Sequence, residues 1–247
     1  MNPILDVQDM TGGYQKNRPI IHDITFSVRP REMVGLIGLN GAGKSTTIKH
    51  ILGLLQPVRG TVSINGNTLE KAPEAYRASY TYVPETPLAY DDLTLWEHLE
   101  MTAMAYGLGR ETFEERVHPL LDEFNMKDKV KMFPHHMSKG MRQKMMIMNA
   151  FLVRPSLYMI DEPFVGLDPI GIRSLLELMV KMKETGAGIL MSSHILSTVE
   201  RYCDRFVILH NGRIRAAGTL DEIRAQAGMP GVPLDDVFYE LTRDDSR

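Results

Sequence analysis

Short apolar, β-branched runs alternate along this chain with longer segments of helical period. Runs at residues 4–7, 24–28, 33–37, 61–64, 81–83, 157–160, 189–192 and 206–209 have the length and composition of strands. Apolar positions spaced three and four apart predict helices over 45–55, 95–106, 114–124, 140–152, 170–184, 196–203 and 220–227. Such alternation predicts an α/β fold. Residues 86–153 read mostly as helix and separate a strand-rich first part from a strand-rich last part. The expected organisation is one domain over 1–228, with a helical lobe inserted at about 86–153. Residues 229–247, with Pro230, Pro233 and several acids, read as a short tail. Asn211-Gly212 lies between two strand-like runs and predicts a hairpin with a tight primed turn.

Composition bounds the picture further. Apolar residues make up 43% of 247, enough for one large domain or two small lobes around a substantial core. The net charge of −3, from 28 basic and 31 acidic side chains, argues against a protein that coats a nucleic-acid duplex. No apolar run approaches the roughly 20 residues that span a bilayer. The opening Met1-Asn2-Pro3-Ile4-Leu5-Asp6 lacks the basic region and long apolar stretch of a signal peptide. A protein soluble by itself is therefore expected, with any membrane-spanning part on another chain. Cys203 is the only cysteine, which fits a reducing compartment.

Gly38-Leu39-Asn40-Gly41-Ala42-Gly43-Lys44-Ser45, followed by Thr46, fits the phosphate-loop pattern G-x-x-x-x-G-K-[ST] between a strand and a helix. Its glycines let the backbone curl so that N–H groups face an anion, and the helix behind adds a favourable dipole. Lys44 is expected to reach the β- and γ-phosphates, and Ser45 to put its hydroxyl on Mg2+. A second apolar strand ends in Asp161-Glu162. Asp161 is expected to hold Mg2+ through water, with Glu162 as general base toward the attacking water. Two acids at a strand end can also be mere surface residues; the phosphate loop is what favours the chemical role.

The segment Met137-Ser138-Lys139-Gly140-Met141-Arg142-Gln143 resembles the L-S-G-G-Q signature of the ATP-binding-cassette (ABC) ATPases. The motif order also resembles that family: phosphate loop, Glu85 in Tyr82-Val83-Pro84-Glu85, signature, Asp161-Glu162, Gly166-Leu167-Asp168, then His194. The similarity is greatest to cassette subunits of Ecs-type bacterial transporters. It implies a P-loop NTPase cassette with a RecA-like α/β core, an antiparallel β subdomain and an inserted helical subdomain. It implies ATP hydrolysis by two cassettes facing head to tail, as a homodimer. Ser138 and the Gly140 backbone would then meet the γ-phosphate held by the partner's phosphate loop. Tyr14 would be the adenine platform, with a surface-turn tyrosine as the alternative. His194 would position Glu162 and water. Asp168 would cross to the partner subunit as well as capping a helix ahead of Pro169.

The resemblance further implies an EcsB-like integral membrane permease as partner, a place at the cytoplasmic face of the membrane, and export or an ABC-2-like arrangement. Trp96 either lines the permease-facing groove or belongs to the core. Lys139 and Met141 depart from the commonest signature, and Glu85 stands where most of the family has Gln. A carboxylate there is still an oxygen ligand for Mg2+ but adds charge near the γ-phosphate. The rival reading is a soluble cassette ATPase working on nucleic acid or ribosomes. Such relatives usually carry paired cassettes, a long coiled-coil insertion or basic extensions, and this chain has none, so no nucleic-acid partner is expected. Met137, Met141, Met145, Met146 and Met148 read as core packing rather than a soft-metal site.

Overall fold

The computed structural model describes residues 2–243; the last four residues of the expected tail lie outside the described residues. In chain order the elements are β1 (Leu5–Gly12), β2 (Ile21–Val28), β3 (Met33–Ile37), α1 (Lys44–Ile51), β4 (Arg59–Ile64), β5 (Asn67–Thr68) and α2 (Pro73–Ala78). Then come β6 (Tyr80–Val83), α3 (Leu95–Ala105), α4 (Arg110–Glu123), α5 (Lys139–Val153), β7 (Leu157–Asp161) and α6 (Pro169–Glu184). The chain continues with β8 (Gly188–Ser192), α7 (Leu196–Tyr202), β9 (Arg205–His210), β10 (Arg213–Gly218), α8 (Leu220–Gln226) and α9 (Leu234–Thr242).

Two sheets result. The order β2-β1-β4-β5 is antiparallel throughout, and β10-β9-β3-β8-β7-β6 is parallel except for the β10 edge. Every residue of β3, β7 and β8 is buried, which is why these runs read as continuously apolar rather than alternating. The two-residue period still sorts them. Met33 and Ile37 of β3, with Tyr158 and Ile160 of β7, join a core shared with α3, α4, α5 and α6. Val34 and Leu36, with Leu157 and Met159, face the antiparallel sheet and α1. The helices between residues 86 and 153 therefore sit against one face of the central sheet, and the antiparallel sheet against the other.

Caps fix the helix starts that matter for the site. Thr94 and Glu97 form a reciprocal capping box on α3, Ser138 caps α5, and Asp168 caps α6 just ahead of Pro169. Met145 and Met148 of α5 are fully buried in the core. Trp96 is half-buried and meets Phe113 edge to face at 5.2 Å, so its ring packs within the helical lobe.

Residues 229–243 contain more structure than a tail. Leu234 and Val237 of α9 are fully buried in the same core as α5 and α6, and α9 packs on α7 and α8. The spacing Leu234, Val237, Phe238, Leu241 is a helical stripe. Pro233 stands just before the first helical residue, where no intrahelical bond needs its missing N–H.

The β9–β10 hairpin turns through Asn211 and Gly212 at φ 49° and 72°, the left-handed pair of a primed turn. Gly212 also donates its N–H to the Ala42 carbonyl (3.0 Å) and accepts from the His22 N–H (2.8 Å), tying the turn to the phosphate loop and β2. A Cβ there would lie 1.9 Å from the Ile20 carbonyl oxygen. Gly212→Ala is expected to cost about 2–4 kcal/mol, from left-handed strain and the clash together. Thermal melting checks this; an unchanged melting temperature would show that the turn relaxes freely.

Candidate functional site

Sheet order assembles the site. The parallel strands β3, β8, β7 and β6 are consecutive neighbours, so their carboxyl ends lie side by side. β3 runs into the 38–45 loop, β8 into Ser193-His194, β7 into Asp161-Glu162, and β6 into Pro84-Glu85. Four motifs scattered over more than half the sequence thus meet on one edge, as expected where a parallel sheet ends. They border a cleft of about 610 Å3, a usual size for a small-ligand site.

Gly41 and Gly43 adopt φ values of 84° and 109°, so the loop needs their left-handed freedom. α1 starts at Lys44 with no side-chain cap, so its first N–H groups have neither an intrahelical acceptor nor a capping side chain. They are donors available to an anion. Lys44 is buried; its Nζ donates to the Gly38 carbonyl at 2.7 Å and lies 3.7 Å from Glu162 Oε1. Gly38, Asn40, Gly41, Gly43, Lys44, Ser45 and Thr46 all border the cleft, whereas Ala42 is buried beneath the loop.

The two carboxylates at the end of β7 differ in surroundings. Asp161 is buried, and its carboxylate accepts from the Ser192 hydroxyl and, at 3.4 Å, from the Tyr82 hydroxyl. Burial, with the Asp161 charge alongside, pushes the Tyr82 hydroxyl well above the usual phenol range, so it remains a donor. Glu162 adopts φ 45°, an uncommon conformation for a non-glycine residue and one often found at functional sites. Its N–H is held by the Ser192 carbonyl (3.2 Å) and hydroxyl oxygen (3.1 Å). Its Oε2 receives the His194 N–H at 3.2 Å and contacts His194 Nδ1 at 2.7 Å. The Glu162 side chain is 10% exposed and that of His194 61%, and both border the cleft.

Glu85 is exposed and borders the cleft. The preceding Pro84 carbonyl accepts from the Gln143 side chain at 3.4 Å, linking this segment to α5. Ser45 and Glu85 border the cleft and Asp161 is buried at the end of β7; all three carry oxygen donors of the kind a hard divalent cation takes. Tyr14 also borders the cleft, 57% exposed. Lys49 Nζ donates to its hydroxyl at 3.1 Å and sits 5.1 Å from the ring centroid, and this hydrogen bond holds the phenol below its usual range. An exposed, laterally supported ring can stack on an aromatic base.

Ser138, Gly140 and Asp168 are not part of this cleft. The segments that carry them, the start of α5 and the 166–168 stretch, meet instead. Ser138 Oγ accepts from Met141 N–H at 3.2 Å, and a Cβ on Gly140 would lie 2.5 Å from the Gly166 carbonyl oxygen. Asp168 accepts from Gly171 N–H at 2.6 Å and from Lys144 Nζ at 3.0 Å; both, the backbone donor foremost, hold its carboxyl below the usual range. Within one chain, then, the expected site residues form two separate groups. Sequence reasoning missed Tyr82, Ser192, Lys49, Lys144 and Phe238. Tyr82, three residues before Glu85, and Ser192, beside the Ser193-His194 pair, stood close enough to a motif to be noticed.

The sequence profile described as ABC transporter matches residues 21–165. The chain is 58% identical over 243 residues to the ABC-type transporter ATP-binding protein EcsA of Bacillus subtilis (strain 168), covering 98% of each chain. It is 40% identical to the uncharacterized ABC transporter ATP-binding protein YthP of the same organism, over 99% of each chain. A solved ATP-binding subunit of an ABC transporter superposes with TM-score 0.94 at 57% identity, covering 96% of this chain and 99% of the other. The cbiO1 structure from Clostridium perfringens, at 24% identity and TM-score 0.76, has the same fold.

Proposed function

The chain belongs to the ABC transporter family as an ATP-binding, ATP-hydrolysing subunit, and from that premise we propose that two copies close head to tail on ATP and drive a separate membrane permease. The observation that carries this reading is the division of the site. One chain has the phosphate loop with Glu162 and His194 on one cleft, and Ser138, Gly140 and Asp168 in a group apart. A second copy, rotated by a two-fold axis, supplies the missing group to each cleft, so one interface serves both sites. Among the described residues no helix is long and apolar enough to cross a membrane, which suits a subunit that borrows its membrane part.

The geometry supports the following roles. Tyr14 stacks on adenine. Backbone N–H groups from Gly38 to Thr46 and the Lys44 ammonium bind the phosphates. Ser45, Asp161 and Glu85 would hold Mg2+, which supplies charge neutralisation at the phosphate oxygens. Glu162 accepts the proton of the attacking water, and His194, on Glu162 Oε2, keeps that carboxylate aimed. Ser138 and Gly140 meet the γ-phosphate across the dimer. The product is ADP and inorganic phosphate, and loss of the cross-interface contacts lets the dimer reopen.

Likeness to EcsA favours an EcsB-like permease, export, and a place at the cytoplasmic face of the membrane. The helical lobe offers Leu88, Tyr90 and Met104 as exposed apolar side chains for the permease to grip. Purification of tagged Glu162→Gln from detergent-solubilised membranes with Mg-ATP tests the motor reading. A stoichiometric multi-spanning protein is expected; recovery only with ribosomes or nucleic acid contradicts it. Glu85→Gln, by removing one negative charge from the Mg2+ ligand set, is expected to change turnover by about threefold to tenfold and to raise the Mg2+ concentration at half-maximal rate. Identical Mg2+ titrations would show that the charge plays no part.

A further inference from the structure

The C-terminal helix reaches the nucleotide cleft. Phe238 of α9 and Leu196, the first residue of α7, border the same cleft as Lys44 and His194. α7 starts two residues after His194, so whatever fixes α7 also fixes the histidine that holds Glu162. α9 is fastened to α7 in two ways. Leu234 and Val237 are fully buried, and the Leu234 N–H donates to Glu200 Oε2 of α7 at 3.2 Å. Glu200 is also paired at 3.6 Å with Arg224 of α8, whose Nε donates to the Val232 carbonyl at 2.7 Å. The three helices form one clamped unit, with Phe238 and His194 both on its cleft side.

We propose that Phe238 is a positioning residue of the ATP site: α9 walls the cleft beside His194, so nucleotide binding and α9 docking strengthen each other. The proposal rests on the cleft being the ATP site. A phenyl ring cannot bind phosphate. It can exclude water from the side of the cleft where His194 and Glu162 meet, and it can buttress Leu196 so that the His194 segment keeps its place. Its neighbour Tyr239 is 71% exposed and serves as a control on the same helix.

Hydrogen exchange on the full-length chain, with and without Mg-ATP, tests this alongside binding of a fluorescent ATP analogue. With nucleotide, residues 234–242 are expected to slow more than α4, which lies away from the cleft. Phe238→Ala is expected to weaken binding by about fivefold, the size of one lost aromatic contact, and to remove the extra protection. Phe238→Leu restores part of both, and Tyr239→Ala changes neither. If the unmodified chain binds nucleotide while α9 slows no more than α4, the proposal is overturned; this comparison decides even if Phe238→Ala fails to fold. Tight binding retained in a folded Phe238→Ala would overturn it as well. An unmodified chain that binds no nucleotide would overturn both this proposal and the reading of the cleft.

Discussion

Glu162→Gln is expected to lower ATP turnover by about 100-fold to 10,000-fold, the range for removing a positioned general base, while ATP affinity stays within a few-fold. The substitution is close to isosteric, and its carbonyl oxygen can still accept from the His194 N–H that now meets Oε2. The left-handed backbone at φ 45° and the Ser192 contacts to the Glu162 N–H do not involve the side chain, so the local fold stays. What disappears is the capacity to take a proton from water. The charge facing Lys44 Nζ at 3.7 Å also disappears, which leaves the lysine freer for phosphate. Single-turnover phosphate release and equilibrium binding, measured separately, check the two halves. A variant that hydrolyses ATP at more than a tenth of the normal rate would remove Glu162 from its assigned role.

Lys44→Ala is expected to act on the other quantity. Its Nζ, held by the Gly38 carbonyl at 2.7 Å, is the fixed cation of the phosphate loop, and three carboxylates belong to the same strand-end region. Removing it deletes a charge-assisted contact to phosphate and leaves Glu162 without its nearest ammonium. ATP affinity should fall by about 100-fold or more, since the lost attraction and the exposed carboxylate repulsion act together. Lys44→Arg should not rescue it, because a planar guanidinium does not fit a buried position built for a compact ammonium beside a carbonyl. Isothermal titration with ATP measures the loss; a Lys44→Ala chain that binds ATP normally would contradict the assignment. Melting without nucleotide separates lost binding from lost folding.

Much of this molecule was readable from its pattern. The strands β3, β7 and β8 are continuous apolar runs because helices and a second sheet cover both faces, and such runs stand out in a sequence. The hairpin at Asn211-Gly212 follows from two left-handed residues that few other pairs adopt easily. The phosphate loop is local chemistry in one stretch of chain. Harder to see was what depends on sheet order. Nothing in Tyr82 or Ser192 announces a contact with Asp161; it arises because β6, β7 and β8 are neighbours in register, with Asp161 opposite Ser192. The short strand β5 and helix α2 carry too few residues to show a period. α9 had a period, but Pro230, Pro233 and the acids around it gave residues 229–247 the look of a tail. Its helical stripe only gains meaning once α7 and α8 provide a surface to bury it.

The shared site is the central claim, and one measurement addresses it most directly. Light scattering of purified Glu162→Gln, with saturating Mg-ATP and without nucleotide, reads whether ATP brings two copies together. The account predicts a molar mass that doubles with Mg-ATP and returns to that of one chain when nucleotide is removed. A mass that stays at one chain under saturating Mg-ATP, with ATP bound, would contradict a site completed by the Ser138–Gly140 segment of an identical partner.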